Sequence, residues 1–399
     1  MTEVMIWAAS LSALTWAGMM LFWHRFWRAD QRLGEHPARE DWPAVVAVIP
    51  ARNEAESIVA VLEAHAATAY PGRFSVVVVD DNSTDGTGAL AAGVAARSAR
   101  PIQIVTGKPL PAGWSGKLWA VEQGIEAAAE SAPDAEWLLL TDADIVHAPE
   151  TLARLVAAGQ GRVLVSLMAR LAVGRGIGRL LVPAYVFFFQ KLYPFPAVND
   201  ARSAIAGAAG GCMLVDRARL AQTGGIAALR GALIDDCTLA ARLKGTVQAR
   251  AKGTVSNGEH RAIWLGLADR EVVSLRDTDR LATIWETVAR TAFPQLRRSW
   301  LLLLGCVVGM LFLYLSGPLA AVLGLLSLEP GLMIAGLAAW GLQALCFWPT
   351  LRLYGGSALV AAGLPVVAVL YVLMTLDSAR RDMLGKASPW KGRTYSDLP

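Results

Sequence analysis

The chain has 399 residues, of which 54% are hydrophobic and 18% are charged. This composition is too apolar for an ordinary soluble protein of this length and too charged for a bundle of membrane helices alone. The net charge is only +4 and no dense basic run with interleaved aromatic residues occurs, so we expect no nucleic-acid partner. The four cysteines and five histidines lack the spacing of zinc sites, and the cysteines do not indicate a disulfide framework.

The first predicted element is a membrane anchor. Val4 to Trp23 is an uncharged apolar run, long enough to cross the hydrocarbon core as a helix. Basic residues follow it, beginning with Arg25 and Arg28, whereas a cleaved signal peptide carries its positive charge before the apolar run. We therefore predict a retained anchor over 1–30, and the positive-inside rule places the domain after it in the cytosol.

The middle of the chain is predicted to alternate strands and helices. Four short apolar runs predict buried strands at Val45–Ile49, Ser75–Val79, Ile102–Val105 and Trp137–Leu140. Helices are predicted from Asn53 onward, after the capping candidates Asn82, Ser83 and Asp85, and over Lys117–Glu130. This alternation predicts an α/β fold with a mostly parallel sheet and helices on both faces.

Acid-containing clusters follow three of the predicted strands. They are Pro50–Glu54, Asp80–Asp85 and Thr141–Asp144. Ligands of such sheets bind beyond the carboxyl ends of the strands. We therefore expect the three clusters to line one crevice.

The residue types in these clusters indicate phosphate and metal chemistry. Asp142 and Asp144 suit Mg²⁺ or Mn²⁺, which bind one or two carboxylates together with substrate phosphates. On an isolated loop, two aspartates with this spacing usually belong to a turn or cap a helix. Asp80 and Asp81 could cap the next helix or bind the ribose or base of a nucleotide.

Three later features extend this site. Lys117 lies at a predicted helix start, where a helix amino end and a lysine form an anion site, although a plain surface lysine is the alternative. The run lacks the first glycine and the final Ser or Thr of a P-loop, so nucleoside triphosphate hydrolysis is not indicated. A glycine-rich turn at 207–211 precedes a predicted strand. Asp235 and Asp236 lie at a predicted helix start. They could simply stabilise the helix dipole, or one of them could act as a general base.

The motifs, taken in order, resemble the family 2 inverting glycosyltransferases of GT-A fold, over about residues 42 to 300. The segments that carry the resemblance are Pro50–Glu54, Val79–Thr87, Asp142-Ala-Asp144, Gly210-Gly211 and Asp235–Leu243. The flanking membrane segments and the closing Trp390–Tyr395 look like the bacterial branch called hopene-associated glycosyltransferases.

The resemblance implies roles for individual residues. Asp144 would ligate the divalent cation, Mg²⁺ or Mn²⁺, and Asp236 would be the catalytic general base. Asp235 stands where the family usually has Glu. The residues expected to bind the donor are Pro50, Arg52, Glu54, Asp81, Lys117 and Asp142. The expected acceptor or diphosphate contacts are Gly210, Gly211, Asp235 and Arg290. The Gln-x-x-Arg-Trp motif of processive members is missing, so we expect transfer of one sugar.

Apolar runs at the carboxyl end predict a second membrane region, at Leu301–Leu328, Gly331–Thr350 and Gly355–Leu376. Three simple crossings would place the basic tail outside, whereas a hairpin around Gly317-Pro318 would keep it in the cytosol, which we expect. The predicted parts are therefore an anchor at 1–30, a cytosolic GT-A domain at 42–260, interfacial helices at 261–300, a transmembrane region at 301–376 and a basic cytosolic tail at 377–399.

The aromatic run Leu180–Val198 is either buried core or an interfacial segment beside the active site, and its length and prolines favour the second. The whole pattern predicts a multi-pass enzyme of the plasma (inner) membrane. It would transfer one sugar from a nucleotide-sugar donor, expected to be UDP-linked, to a lipid or hopanoid-type hydroxyl.

Two other functions fit the sequence less well. A nucleotidyltransferase would need a GxGTR-like loop after the first strand, which Pro50–Asn53 does not supply. The alternative from another class is a non-catalytic or transport-associated membrane protein with a nucleotide-sugar-binding domain. Few predicted spans, with no charged residue inside them, argue against transport.

Overall fold

A computed structural model describes residues 2–34, 40–173, 176–232, 234–253 and 262–385, with side chains for all of these except 249–253. The closing Trp390–Tyr395 segment and most of the predicted basic tail therefore lie outside the described residues, as does Leu233. The strands are β1 Val45–Ala51, β2 Phe74–Asp80, β3 Ile102–Thr106, β4 Trp137–Thr141, β5 Ile145–His147, β6 Leu164–Met168, β7 Arg170–Leu171, β8 Cys212–Asp216, β9 Ile263–Leu267 and β10 Val272–Ser274.

The helices follow the same chain order. They are α1 Thr2–Phe22, α2 Ile58–Ala66, α3 Thr87–Arg97, α4 Gly116–Ser131, α5 Thr151–Ala158, α6 Gly178–Leu192, α7 Phe195–Asn199, α8 Arg217–Gln222, α9 Asp235–Gly253, α10 Leu281–Gln295, α11 Trp300–Leu326, α12 Pro330–Leu353, α13 Ala358–Ala361 and α14 Leu364–Met383.

The chain divides into two compact units. An α/β unit holds the described residues between Gln31 and Ala172 and between Ala197 and Arg276. A helical unit holds those within Met1–Asp30, Val173–Pro196 and Asp277–Ala387. The helical unit thus takes a segment from inside the range 42–260 that the sequence assigned to one cytosolic domain.

The α/β unit is built on a seven-stranded sheet of order β3-β2-β1-β4-β8-β6-β9. Its neighbours pair in parallel except for β8, which is antiparallel to both β4 and β6. The four predicted strands and the predicted mostly parallel sheet are confirmed. All residues of β1 and β4 are buried, as expected for continuous Val-, Ile- and Leu-rich runs in a sheet covered on both faces.

The sheet opens between β1 and β4. β1 pairs with β2 as far as Ala51 and Asp80, but it pairs with β4 only from Val45 to Val48. β2 and β3 lie on one side of β1, and the strand that follows them in sequence, β4, lies on the other. This reversal of strand order is where α/β sheets place their ligands.

The predicted interfacial helices at 261–300 are partly wrong. Residues 263–267 and 272–274 are strands, and the described helices in this range are α10 and the first residue of α11. β9 extends the main sheet in parallel to β6, while β10 joins β5 and β7 in a three-stranded sheet. Ile263, Leu265 and Leu267 are buried, so the short alternating pattern belongs to a strand packed on the core.

Three described helices are long and apolar enough to cross a membrane: α1, α11 and α12. The predicted hairpin around Gly317-Pro318 is wrong, because α11 is continuous from Trp300 to Leu326 with Pro318 inside it. A β-carbon at Gly317 would lie 2.9 Å from the Ala339 β-carbon and from the Trp340 backbone nitrogen. Gly317 therefore lets α11 and α12 pack closely, as small residues do between membrane helices, and does not mark a turn.

The third apolar run of the carboxyl end is not one span. Residues 355–376 contain the short α13 and most of α14, and the last turns of α14 carry Asp377, Arg380, Arg381 and Asp382. Hydrogen bonds fix these turns to α10: the Trp285 indole N–H donates to Asp377 at 2.9 Å, and the Phe293 N–H donates to the Ser378 hydroxyl at 3.0 Å.

The aromatic run Leu180–Val198 forms α6 and most of α7. Val182 and Phe187 are buried in the helical unit, and the Phe187 ring packs on Phe26 and Phe347 with centroids 5.6 and 5.4 Å apart. The run therefore supplies core side chains to this unit, which is the first of the two alternatives for it.

The approach of α4 to the sheet gives a stability prediction. A β-carbon at Gly124 would lie 2.4 Å from Val48 Cγ1, so Gly124→Ala must shift the helix away from β1. We expect a loss of about 1–3 kcal/mol in the free energy of unfolding, measured from the thermal unfolding of purified protein in detergent. Gly93→Ala is the matched control, because Gly93 is exposed on α3 and its added methyl would meet only the end of Arg97. Equal stability of Gly124→Ala and wild type would contradict this packing.

Candidate functional site

A cleft of about 340 Å³, its open mouth included, lies where β1 and β4 separate. Its walls come from the end of β1, the end of β4, the turn before β8, and the starts of α4 and α9. The lining residues are Pro50, Lys117, Leu118, Val121, Leu140, Thr141, Asp142, Gly210, Met213, Ile226, Leu229, Asp235 and Leu239. The structure thus gathers five of the predicted site residues, which are Pro50, Lys117, Asp142, Gly210 and Asp235.

Lys117 is the cation at the centre of the cleft. It lies in the first turn of α4, whose N-cap Ser115 accepts a hydrogen bond from the Leu118 N–H at 3.3 Å. Its Nζ is 2.6 Å from Asp142 Oδ1, which joins the start of α4 to the end of β4. Burial alone would lower the pKa of Lys117, but Asp142, Asp235 and Asp236 raise it above its ordinary value. Lys117 is therefore charged throughout the physiological pH range.

Asp236 faces Lys117 from the start of α9. Its Oδ2 accepts the Gly210 N–H at 2.8 Å, and its Oδ1 accepts the Cys237 N–H at 2.7 Å. Burial, together with the charge of Asp235, raises the pKa of Asp236 to about 6. A β-carbon at Gly210 would lie 3.3 Å from Asp236 Oδ2 and 3.6 Å from Lys117 Nζ, so the two charged groups approach each other across this glycine.

A buried lysine holds α9 in place. The Lys244 ammonium donates to the carbonyl oxygens of Ala197, Val198 and Ile205 at 3.2, 2.7 and 2.6 Å. Its three N–H donors are thereby satisfied, two turns after Asp236. This fixes the helix start that presents Asp235 and Asp236 to the cleft.

Asp144 adjoins the cleft and is nearly buried. Its Oδ2 lies 3.3 Å from Arg276 Nε and accepts the Ser274 hydroxyl at 3.4 Å, and its carbonyl accepts the Leu275 N–H at 2.8 Å. Burial and the neighbouring charge of Asp142 raise the pKa of Asp144. The neighbouring carboxylates of Asp142 and Asp144 would be stabilised by a bound cation. No group of three metal-binding side chains occurs among the described residues.

Arg52 and Asp81 lie at the neighbouring ends of β1 and β2. The Arg52 guanidinium is 3.5 Å from Asp81 Oδ2 and also donates to the Asp81 carbonyl. The Asp81 N–H donates to the Ala51 carbonyl at 2.8 Å, which continues the strand pairing into the loops. Glu54 turns back onto its own segment, where Oε2 accepts the Ser57 hydroxyl at 3.2 Å. These three residues flank the cleft and are not among its lining residues.

The polar residues between these positions join two loops. The Asn53 N–H donates to the Ser83 hydroxyl at 2.9 Å, and Asn53 Oδ1 accepts the Thr84 N–H at 2.9 Å. Asp85 accepts the N–H groups of Ala55 and Thr87, both at 3.0 Å. Asp85 thus accepts the first N–H of α3 and joins the first loop to the second, whereas the N-cap position itself is Gly86 and not one of the predicted capping residues.

The remaining predicted residue, Arg290, belongs to the helical unit. It lies on α10 and is half-buried. Gly211, by contrast, stands beside Gly210 at the turn into β8. Its carbonyl accepts the Thr141 hydroxyl at 2.8 Å.

Sequence reasoning missed a histidine pair behind the cleft. His147 Nε2 lies 3.0 Å from Thr141 Oγ1, and the His147 and His65 rings pack at a tilt with centroids 4.9 Å apart. Because the Thr141 proton goes to Gly211, His147 Nε2 must be the donor to Thr141. Burial lowers the pKa of both histidines, so both are neutral. Nothing in the sequence links His65 to His147 across 82 positions.

Ser274 and Arg276 were also missed. They reach Asp144 because β10 pairs antiparallel to β5, with Ser274 opposite Ile145. The sequence offers no local signal for this contact, since Ser274 follows Asp144 by 130 positions.

The comparisons agree with this geometry. Residues 46–222 match the family described as Glycosyl transferase family 2. A comparison with curated protein sequences found no match. The matched segment, which is less than half of the chain, holds β1, β2 and β4 with their acidic clusters, and over these residues the chain is similar to the family 2 glycosyltransferases.

Three solved structures are similar to this chain to different extents, and the fold rests on the first of them. The mannosyltransferase PcManGT from Pyrobaculum calidifontis, in complex with GDP-Man and Mn²⁺, is 19% identical; the match covers 97% of this chain and 100% of that chain, with a TM-score of 0.50. S. aureus TarS is 17% identical over 63% of this chain and 40% of that chain, with a TM-score of 0.38. M. tuberculosis glucosyl-3-phosphoglycerate synthase is 18% identical over 64% and 80%, with a TM-score of 0.38. The predicted GT-A-like sheet with membrane-length helices at both ends is confirmed.

The Thr141 hydroxyl gives the second prediction. Thr141→Val removes the bond to Gly211 and leaves the buried His147 N–H without its acceptor, so we expect a loss of about 1–3 kcal/mol in unfolding free energy. Thr141→Ser keeps the hydroxyl and should lose less. Thermal unfolding of both variants in detergent measures the difference. Equal unfolding free energies of Thr141→Val and Thr141→Ser would contradict a stabilising role for the Thr141 hydroxyl at the glycine turn.

Proposed function

We propose that the chain is a membrane-bound, inverting glycosyltransferase that transfers one sugar from a nucleotide-sugar donor to a lipid-like hydroxyl. The observation that carries the proposal is the placement of Lys117 among Asp142, Asp235 and Asp236 at the β1–β4 opening. A glycosyltransferase needs a diphosphate site and a general base within one cleft, and this arrangement supplies candidates for both.

The donor would bind along the strand ends. Arg52, Glu54 and Asp81 would hold the nucleoside, with Pro50 at the wall of the cleft and Lys117 and Asp142 beside the ribose and diphosphate. The buried Asp81 carboxylate, held by Arg52, suits hydrogen bonding to a base or ribose. The resemblance favours a UDP-linked donor, whereas the Pyrobaculum structure contains GDP-Man. Donors linked to UDP and to GDP should therefore both be assayed.

A divalent cation, Mg²⁺ or Mn²⁺, fits the charges of the site. Four carboxylates and two cationic side chains occur in the site; they are Asp142, Asp144, Asp235 and Asp236, and Lys117 and Arg276. A diphosphate would therefore add negative charge to a site that already has an excess of carboxylates. Asp144, supported by Asp142, would hold the cation. When bound, such an ion neutralises the charge that develops on the departing diphosphate.

Asp236 would act as the general base. Its two backbone hydrogen bonds fix the carboxylate, and its raised pKa brings it near the operating pH, where a base is most effective. It would take the proton from the acceptor hydroxyl while the oxygen attacks the anomeric carbon from the face opposite the diphosphate. Lys117 would stay protonated and hold the phosphate oxygens. A single displacement of this kind inverts the anomeric centre.

The acceptor is proposed to be a lipid, with a hopanoid-type hydroxyl as the specific candidate. The support is the resemblance to the hopene-associated branch and the three membrane-length helices of the same chain. Gly210, Gly211, Asp235 and Arg290 remain the proposed acceptor or diphosphate contacts.

The helical unit supports a multi-pass topology with a cytosolic catalytic domain in the inner membrane. α1 is followed in sequence by Arg25 and Arg28, and α11 is preceded by Arg297 and Arg298. α11 and α12 would then cross out and back. The last turns of α14 lie beside α10 and the start of α11, because they bond to α10 and Arg298 pairs with Asp382 at 3.2 Å. The positive-inside rule requires basic residues on the cytosolic side, and this topology would place Arg297, Arg298, Arg380 and Arg381 there.

The general-base role gives the third prediction. Asp236→Asn should retain donor binding and lose about 10²- to 10⁴-fold in turnover, because the amide cannot accept the proton. The measurement is release of nucleoside diphosphate and sugar addition to a total lipid extract, by mass spectrometry, with a panel of nucleotide sugars and Mn²⁺.

Glu130→Gln is the matched control, since it removes an exposed carboxylate from α4. It should turn over like wild type. Unchanged turnover in a folded Asp236→Asn protein would exclude Asp236 as the base. Wild type that releases no diphosphate with any donor would favour the non-catalytic alternative.

The pKa of Asp236 gives the fourth prediction. The base works only as the carboxylate, so kcat/KM should fall about tenfold per pH unit below a pH of about 6 and level off above it. Asp235→Asn removes a charge that raises this pKa, so the inflection should move to lower pH. A profile that is flat between pH 5 and 8, or an inflection that Asp235→Asn leaves in place, would argue against this assignment.

A further inference from the structure

Each of the two aspartates that would hold the divalent cation is already paired with a basic side chain. Arg276 Nε lies 3.3 Å from Asp144 Oδ2, and Lys117 Nζ lies 2.6 Å from Asp142 Oδ1. Mg²⁺ is usually held by one or two carboxylates together with substrate phosphates. An ion that arrives without phosphate must therefore compete with a resident cation of the protein.

Arg276 is the weaker of these two competitors. Its side chain is 40% exposed, that of Lys117 is 24% exposed, and the Arg276 contact is the longer one. Ion pairs of solvent-exposed side chains contribute little to stability, because water competes for both charges. A divalent ion would therefore displace Arg276 before it displaced Lys117.

The Arg276 side chain shields Asp144 from solvent. Only 12% of the Asp144 side chain is exposed, although the guanidinium that contacts its Oδ2 is itself largely accessible to water. Asp142, two residues earlier, lines the cleft directly. An ion that enters the cleft thus meets Asp142, and movement of the guanidinium away from Oδ2 uncovers the second carboxylate beside it.

The backbone of Arg276 is fastened to the strand end that carries Asp144. The Leu275 N–H donates to the Asp144 carbonyl at 2.8 Å. The Ser274 hydroxyl donates to Asp144 Oδ2 at 3.4 Å and accepts the Arg276 N–H at 3.3 Å. The guanidinium can therefore leave Asp144 by rotation of its own side chain, while the backbone keeps it beside the site.

A diphosphate supplies the anion that the displaced guanidinium would lack. Phosphate oxygens accept charge-assisted hydrogen bonds from arginine, frequently two at once. They also complete the ligands of a divalent ion that one or two carboxylates hold. With a diphosphate present, the guanidinium exchanges one anionic partner for another. Without it, the metal gains Asp144 at the cost of a cation left unpaired.

We propose that Arg276 competes with the divalent cation for Asp144, so that the metal binds tightly only together with a nucleoside diphosphate. This inference rests on the cation site proposed above at Asp144. It gives Arg276 a positioning role: the side chain keeps the carboxylate neutralised before the donor arrives, and it then becomes available to the diphosphate.

The affinity of the purified full-length protein for Mn²⁺ tests this role. Free Mn²⁺ is followed by its electron paramagnetic resonance signal, without nucleotide and with uridine or guanosine diphosphate, after subtraction of a protein-free titration. Without nucleotide, Arg276→Gln should tighten the dissociation constant about tenfold, as expected if the guanidinium occupies Asp144 about nine-tenths of the time. The gain in Mn²⁺ affinity on adding nucleotide should shrink by at least the same factor.

Three variants control this measurement. Arg276→Met is a second neutral variant and should behave as Arg276→Gln does, so it decides the matter if the glutamine variant does not fold. Arg276→Lys keeps the charge and should stay close to wild type. Arg97→Gln should bind Mn²⁺ as wild type does, because it removes an arginine from an exposed ion pair with Glu63, on helix α3.

Equal or weaker Mn²⁺ binding by both neutral variants, without nucleotide, would overturn the competition. Tightening that persists when Asp144→Ala is added to Arg276→Gln would place the ion elsewhere and would overturn it as well. If no variant binds Mn²⁺ with either nucleotide, the proposed cation site fails together with this role of Arg276. Sugar transfer by wild type is assayed separately, so the glycosyltransferase proposal can stand when the competition fails.

Discussion

The ion pair between Lys117 and Asp142 is the interaction on which the site depends. It joins the first turn of α4 to the end of β4 at 2.6 Å, and the same ammonium offsets the charges of Asp235 and Asp236. Without Lys117, Asp142 and Asp235 would line the cleft and Asp236 would lie beside it, with no counter-charge from the cleft walls. Asp144 meets the same constraint beside the cleft, where Arg276 and Ser274 hold it. The result is a polar cleft whose charges are balanced only in part, which favours a ligand that brings both phosphate and a cation.

The backbone makes this balance possible in two places. β1 stops pairing with β4 after Val48, which opens the sheet, while its pairing with β2 continues to Ala51. On the other wall, the turn at Gly210 and Gly211 is held from behind by Thr141 and His147 and from the front by Asp236. Asp142, Asp144 and Asp236 therefore have fixed positions before any substrate arrives. Such preorganisation is the main source of electrostatic catalysis.

The sequence predicted the strands and the convergence of their ends, because β1, β2 and β4 are continuous apolar runs followed at once by polar residues. It could not predict β9 and β10, which are short and pair with strands about 100 residues or more away. For the same reason it missed Ser274, Arg276 and the histidine pair. Gly317-Pro318 suggested a turn in α11, but membrane-type helices tolerate proline when neighbouring helices pack closely. The sequence predicts a tail from residue 377, whereas α14 continues to Met383 and its charged end bonds to α10.

The central claim is that the cleft binds a nucleoside diphosphate together with a divalent cation. Its most direct test is a calorimetric titration of purified wild-type protein with uridine and guanosine diphosphates, each with and without Mn²⁺. The excess of carboxylates around Lys117 predicts saturable binding of one of the two nucleotides that is lost when the cation is removed. Protein that unfolds cooperatively yet binds neither nucleotide in the presence of Mn²⁺ would contradict the account.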